Sequence, residues 1–327
     1  MYYYLETNIY DKFQLIIKIY YMCYYYMENK FIYKLKQLKT KINYNESLEI
    51  IKKNKITNYH LGQLKLFMSE LLFLSKFIHN KNILVLYVGA AGGYHTHYMA
   101  TIFPHFMFEL YDKNPFHEIF EKKKLNNIKI FHEYFTDELA IKYKNYKKNI
   151  LFMCDMRDLE IKNVSDNIDD LDKLIIDDMN SQMNWAKTML PIATYLKFRL
   201  PYKIPKITYF SGSIYLQPYN KNGTETRLLI RNYNKTKKYY CIENDEKMAY
   251  FNCCIRTLEQ NTIWKDILEK NNIVNNWDNN YALYIIRYYL KKKYNTKPTN
   301  DEVIKTFLDI IKYHQKSNDR KYDIIFN

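Results

Sequence analysis

The feature that most constrains the fold is a series of short, largely apolar runs, three of the first four closed by a glycine or an acid. "NILVLYVG" (82–89), "FMFELYD" (106–112), "IKIFHEY" (128–134) and "NILFMCD" (149–155) are the first four. Runs that are apolar throughout, rather than alternating, suit strands covered on both faces. Helical stretches fit between several of them, and strands alternating with helices predict a parallel, doubly wound α/β sheet. "ATYLKFRLP" (193–201), "KITYFSGSIYLQ" (206–217) and "ETRLLIRNY" (225–233) read as later strands. Tyr59 to Phe77 has helical periodicity, and further helices are expected near 280–294 and 301–313. No repeat or Gly/Ser-rich linker divides the chain. The reading is an extension over 1–43, one domain over 44–313 with helical additions at its ends, and a tail over 314–327.

With 327 residues, 47% of them hydrophobic and 26% charged, the chain can bury a sizeable core and is not a disordered polymer. The net charge is +15, which favours a polyanion partner. AT-rich coding accounts for such a lysine excess as readily, and for the 35 tyrosines, so the charge agrees with an RNA partner without establishing one. The five cysteines (Cys23, Cys154, Cys241, Cys253 and Cys254) form no CxxC pair, so neither a disulfide framework nor a metal site is expected. The apolar segment from Leu15 to Met27 is interrupted by Lys18 and is too short to span a bilayer. A soluble intracellular protein without membrane contact is expected.

In open α/β sheets a ligand sits beyond the carboxyl ends of the strands. The first strand runs into "VGAAGGYH", where Gly89 and Gly93 let the backbone approach a ligand closely. Asp112 closes the second strand, where a carboxylate can accept from both hydroxyls of an adenosine ribose. The dinucleotide fingerprint requires Gly-x-Gly-x-x-Gly, and here two alanines follow Gly89. A pyrophosphate cradle is disfavoured, and a smaller adenosine ligand without phosphate, S-adenosylmethionine, is favoured. No Gly-Lys-Ser/Thr phosphate loop is present.

Methyl transfer to a ribose hydroxyl requires alignment of the acceptor and removal of a proton from a weakly acidic alcohol. A lysine can take that proton only while neutral, which calls for burial or a neighbouring cation, and carboxylates to orient it. Lys65 lies in an otherwise apolar helix, Asp155 at a strand end, Lys197 within an apolar strand, and Glu225 at the start of "ETRLLI". Singly, each has an ordinary structural role. The order Lys–Asp–Lys–Glu, each at a suitable place in the sheet, is what points to chemistry.

At these residues the sequence resembles the poxvirus cap-specific 2′-O-methyltransferases, which are also the small regulatory subunits of the viral poly(A) polymerase. The segments "GQLKLFMSELLFLSK" (62–76), "VLYVGAAGG" (85–93), "ILFMCDMR" (150–157), "LKFRLPY" (196–202), "LQPY" (216–219) and "ETRLL" (225–229) carry the resemblance. It implies a Rossmann-like methyltransferase fold, S-adenosylmethionine as cofactor, and a Lys65–Asp155–Lys197–Glu225 tetrad with Lys197 as base. It also implies cofactor contacts at Gln63, Tyr87, Gly89, Gly93, Asp112 and Phe135, the last against adenine. Asn114 stands where the family has a cofactor arginine. A 7-methylguanosine cap would stack between Tyr44 and Tyr202, its positive charge strengthening contact with the rings. Asp245 or Glu246 would accept from the base edge. A second family acid falls at Ile204, and a family tyrosine at Asn222. Arg157, Arg199 and Arg227 are candidate phosphate or site-ordering contacts. The partners implied are capped mRNA, a poly(A) polymerase catalytic subunit in a heterodimer, and the viral transcription machinery, in the cytoplasmic factory and the virion. Two other readings stay open: an RNA-binding processivity module with weak or no transferase activity, and a 2′-O-methyltransferase of uncapped RNA.

Overall fold

The computed structural model describes residues 31–53, 61–147, 149–156, 168–220, 223–256 and 264–316, with 322, 325 and 326. The chain divides into two units, Met1–Tyr33 and Lys34–Asn327. The apolar N-terminal segment and Arg157 lie outside the described residues, as does Asn222. The second unit carries the sheet and the expected site residues.

Five strands form the parallel part of the sheet: β1 (Ile83–Val88), β2 (Met107–Tyr111), β3 (Ile128–Phe131), β4 (Asn149–Cys154) and β5 (Ala193–Phe198). Two antiparallel pairings add β8 (Thr226–Ile230) and β7 (Ser213–Tyr215), giving the order β3-β2-β1-β4-β5-β8-β7. All of β1 is buried, as is β4 beyond its first residue, which is why both read as continuous apolar runs. The order reverses between β1 and β4, the switch point at which doubly wound sheets bind ligands. The architecture is α/β, Rossmann-like, as expected.

Two groups of helices cover the sheet. α2 (Gly62–Leu74) packs with α3 (Tyr94–Ile102), α9 (Trp277–Tyr294) and α10 (Asn300–Gln315), while α5 (Asp137–Lys144) packs with α6 (Ile168–Met189). Every residue of α2 from Leu64 to Leu74 except Leu66 is buried, so this helix is enclosed rather than amphipathic. Phe73 of α2 stacks on Tyr195 of β5, 4.8 Å between centroids. Side chains alternate along a strand, so Lys197 shares the α2 face of β5 with Tyr195. Among the described residues the remaining α-helices are α1 (Tyr44–Lys53), α4 (Ile119–Lys122), α7 (Cys241–Tyr250) and α8 (Lys265–Lys270). Among the described residues no helix is long and apolar enough to cross a membrane.

The expected strand over 206–217 is two strands in two sheets. β6 (Lys206–Phe210) pairs with β9 (Thr236–Tyr240), and β7 pairs with β8. Gly212 lies at the break, where a Cβ would collide with the Leu229 carbonyl oxygen. Strand β5 ends at Phe198, short of Pro201, and Glu225 precedes β8 rather than opening it.

Candidate active site

The glycine turn after β1 is built on left-handed backbone. Gly89, Gly92 and Gly93 have φ of 78°, 71° and 57°. A Cβ on Gly89 would lie 2.5 Å from Met156 N, so only glycine fits against the end of β4. A pocket of about 170 Å³ opens here, lined among others by Gly89, Asp112, Asn114, Phe135 and Asp155. Phe135 is buried and meets Tyr111 and Trp185 edge-on, at 5.2 and 5.0 Å. Asp112 Oδ2 accepts from Ala91 N (2.7 Å), and Oδ1 accepts from Asn114 N (2.8 Å) and Nδ2 (3.0 Å). A carboxylate offers about four acceptor positions. The exposed Asn114 side chain must therefore turn away before Asp112 can accept from both hydroxyls of a ribose.

Gln63 stands beside this turn without lining the pocket. Its Oε1 accepts from His95 N (3.1 Å) and faces His95 Nδ1 (2.8 Å). The other ring nitrogen of His95 faces Glu70, at 3.1 Å from Oε2. Tyr87 is buried, and its hydroxyl donates to Glu70 Oε1 (2.6 Å). The Tyr87 side chain is thus committed to the network behind the turn rather than to the pocket.

Lys65, Asp155, Lys197 and Glu225 converge from α2, the end of β4, β5 and the lead into β8. Lys65 Nζ donates to Glu225 Oε1 at 2.9 Å. Lys197 Nζ lies 3.3 Å from Asp155 Oδ1 and 3.4 Å from Glu225 Oε2. Arg227, for which the sequence allows phosphate contact or site ordering, lies inside the cluster. The antiparallel register sets it opposite Lys197, and it donates to Asp155 Oδ1 (2.6 Å) and Glu225 Oε1 (3.3 Å). Burial alone pushes the Asp155 and Glu225 carboxyls up. Arg227 and Lys197 outweigh that for Asp155, and Lys197 and Lys65 for Glu225, so both sit below the usual carboxylate range.

Gln217 completes the cluster, and sequence reasoning missed it. With its amide oriented to satisfy its neighbours, it donates to Glu225 Oε1 (3.1 Å) and accepts from Arg227 Nε (2.9 Å) and Ser69 Oγ (3.2 Å). The one signal for it is a fully polar side chain inside the apolar stretch "SIYLQPY".

The expected cap residues fall in a separate group. Tyr202 is 46% exposed, and the Arg199 guanidinium lies 4.1 Å from its ring centroid. Arg199 donates to Asp245 Oδ1 (2.7 Å), and Glu246 pairs with Lys41 (2.9 Å). Both candidate acids are therefore engaged. Asp172 accepts from the backbone of Tyr202 and Lys203, at 2.5 and 2.7 Å, and fixes this loop. Ile204 is half-buried, and Tyr44 begins α1.

Two solved structures give loose likenesses. One is a sugar N-methyltransferase from Streptoalloteichus sp., at 9% identity, TM-score 0.24, over 60% of this chain and 80% of that one. The other is an S-adenosylmethionine-bound amino pentose methyltransferase from Micromonospora echinaspora, at 9% identity, TM-score 0.24, over 59% and 78%. Likenesses this loose carry no argument of their own. A relative from fowlpox virus, named a cap-specific mRNA (nucleoside-2′-O-)-methyltransferase, is 28% identical over 296 residues, 84% of this chain and 86% of that protein. The profile of the family described as poly A polymerase regulatory subunit matches residues 26–314. The match spans the glycine turn, the buried cluster and the Arg199–Tyr202 group alike, and the chain belongs to the poly A polymerase regulatory subunit family.

Proposed function

We propose that the chain methylates a ribose 2′-hydroxyl of capped mRNA from S-adenosylmethionine, with Lys197 as base, and pairs with a poly(A) polymerase catalytic subunit. The observation that carries the reading is the sharing of Asp155. This residue lines the pocket at the glycine turn and also lies 3.3 Å from Lys197 Nζ. A nucleoside seated on Gly89, with its ribose on Asp112 and its base near Phe135, would leave its reactive end at the buried cluster. The turn that a Cβ would fill, the carboxylate and the aromatic wall fit such a ligand. When bound, the sulfonium supplies the electrophilic methyl group.

The residues of the chain do the rest. Three cations (Lys65, Lys197 and Arg227) meet two carboxylates (Asp155 and Glu225) in direct contact. Three cations around two carboxylates leave an excess of positive charge, and Lys197, set opposite Arg227 across the register, is the lysine this reading assigns as the base. Neutral Lys197 then takes the proton of the ribose hydroxyl, while Lys65 and Asp155 hold it in line. The fowlpox relative's named activity is the one this arrangement suits, and family membership favours the polymerase partner.

The deciding experiment is transfer of radiolabelled methyl to RNA capped with 7-methylguanosine. Native protein is expected to transfer, and Lys197→Ala to lose about 10²–10⁴ in rate. No transfer by the native protein, or full activity in Lys197→Ala, overturns the reading. Tyr202→Ala compared on capped and uncapped RNA tests the cap assignment: a loss confined to the capped substrate supports it, and equal effects remove it.

A further inference from the structure

Behind the glycine turn runs a buried polar chain that the cluster around Lys197 does not include. Gln63 and Glu70 are two helical turns apart on α2 and share one of its faces, while Lys65 and Ser69, which serve the cluster, share another. Both Gln63 and Glu70 reach the same ring, that of His95, the second residue of α3, which is 1% exposed. Gly93 has no side chain with which to cap α3, and Gln63 Oε1 takes that place by accepting from His95 N (3.1 Å). A nitrogen there would face a second donor, so the backbone decides which end of the amide is the oxygen. The same oxygen lies 2.8 Å from His95 Nδ1 and accepts from it.

On the far side of the ring, Nε2 lies 3.1 Å from Glu70 Oε2 and 3.2 Å from Thr96 Oγ1. Glu70 is anchored in turn to the strand that leads into the glycines, since the Tyr87 hydroxyl donates to its Oε1 at 2.6 Å. Burial and the Glu70 carboxylate hold the Tyr87 phenol well above its ordinary range, so it remains the donor. The chain Tyr87–Glu70–His95–Gln63 therefore ties the end of β1 to the start of α3 around the turn. Gln63 is the half-buried end of it, and its Nε2 stands 3.8 Å from where a Cβ on Gly92 would lie. With Oε1 taken twice, the amide presents its two N–H groups beside the turn, and among the described residues no hydrogen bond takes them.

We infer that His95 and Glu70 are positioning residues for cofactor binding, holding the Gln63 amide so that its N–H groups meet the carboxylate at the amino-acid end of S-adenosylmethionine. The inference rests on the S-adenosylmethionine reading of the pocket and not on the identity of the methyl acceptor. Gly89, Asp112 and Phe135 suit the nucleoside, and none of them offers a side-chain donor to a carboxylate. An unheld glutamine would turn its oxygen toward that anion as readily as its nitrogen, and would lose rotamer freedom on binding. Two bonds to Oε1 remove the choice beforehand, and the Glu70 carboxylate fixes the ring that makes one of them.

The test is calorimetry with two probes that share a nucleoside and a sulfur: S-adenosylhomocysteine, which carries the amino-acid end, and 5′-methylthioadenosine, which lacks it. His95→Phe keeps a ring and removes both ring nitrogens. Its Kd for S-adenosylhomocysteine is expected to rise about tenfold or more, and its Kd for 5′-methylthioadenosine to stay within about twofold of native. His95→Asn, whose amide can still donate to Gln63, is expected to recover most of the loss. Glu70→Gln, which keeps an acceptor for Tyr87, is expected to weaken S-adenosylhomocysteine alone, by about threefold or more. In a Gln63→Ala background, His95→Phe is expected to add less than about twofold, because it acts through that amide. In methyl transfer the single variants are expected to raise KM for S-adenosylmethionine and to keep kcat within about threefold. Equal losses on both probes, which a collapsed turn would give, overturn the inference, as do unchanged affinities in His95→Phe and Glu70→Gln. If the thermal melt shows His95→Phe unfolded, Glu70→Gln decides by the same contrast. Native protein that binds the two probes equally also overturns it. Native protein that shows the contrast yet transfers no methyl to capped RNA removes the proposed acceptor chemistry and leaves this inference standing.

Discussion

Lys197 and Arg227 are direct neighbours across an antiparallel pair, an arrangement that ordinarily costs stability. Asp155 and Glu225 offset it, and Gln217 ties Glu225 to Arg227. Removing one member therefore leaves its partners buried and unpaired. Arg227→Leu is expected to cost about 3–5 kcal/mol, read as a lower urea midpoint. Gln217→Leu, which removes a neutral side chain's hydrogen bonds to Glu225, Arg227 and Ser69 but no charge, is expected to cost about 1–3 kcal/mol. A smaller loss from Arg227 than from Gln217 would show that the ion pairs do not hold the cluster. The carboxyls also set a pH dependence. Their folded pKa values are depressed, so their contribution is complete above the ordinary carboxylate range, near about 4, and is lost as pH falls below it. Glu225→Gln, compared with native protein in acid titrations, is expected to flatten that part of the curve. At the pocket, Asp112→Asn is expected to weaken S-adenosylmethionine binding about tenfold or more by calorimetry, since a charged acceptor is worth about 1.5–3 kcal/mol.

Helix α10 reaches the site through one buried ring. His314 packs against Phe67 of α2, 4.9 Å between centroids, and its Nδ1 bonds to the Ile310 carbonyl (2.8 Å). Phe67 lies two residues from Lys65, so this contact braces the helix that carries a member of the tetrad. Burial brings the His314 imidazole down to about 3. The unfolded chain takes up that proton below about 6.5, so the buried neutral ring costs nothing well above that pH and opposes folding progressively as pH falls below it. The slope is at most about 1.4 kcal/mol per pH unit, and His314→Phe is expected to remove it from denaturant titrations between pH 5 and 7. An unchanged slope would place the titration elsewhere. The elements themselves were legible because β1 and all of β4 after Asn149 are apolar throughout, a pattern that suits a doubly covered sheet, and β2 and β3 are each interrupted by only one charged residue. The break inside 206–217 was not legible, because it depends on how closely Gly212 approaches Leu229, a neighbour far along the chain. The tetrad was readable as polar residues in apolar elements. By the same signal Ser69, Glu70 and Gln217 were available, but nothing in their spacing said that they would converge.

At the scale of the whole molecule, the segment beyond α10 returns to the body. Ile325 is 1% exposed, its N–H donates to the Tyr322 carbonyl, and its carbonyl accepts from Val274 N (2.9 Å) and Asn279 Nδ2 (3.2 Å). The sequence offered no sign of this, since a short polar tail with two isoleucines has no periodicity to read. Truncation after Arg320 is expected to leave the Val274 donor unmet and to lower the thermal midpoint, at about 1–3 kcal/mol for one orphaned buried group. An unchanged midpoint would mean that water replaces the tail without loss.

The place of β8 also sets the order in which the buried cluster can be assembled during synthesis. A ribosome that has released residues through β5 has already supplied Lys65, Asp155 and Lys197, together with the glycine turn and Asp112. Glu225 and Arg227 come only with β8, which must insert between β5 and β7, although β7 precedes it in the chain. Until that strand docks, Lys197 lacks the guanidinium opposite it and one of its two carboxylates. A stalled or prematurely ended product therefore carries the first five strands yet lacks two members of the buried cluster, so the proposed chemistry would have to wait for the closing of the sheet.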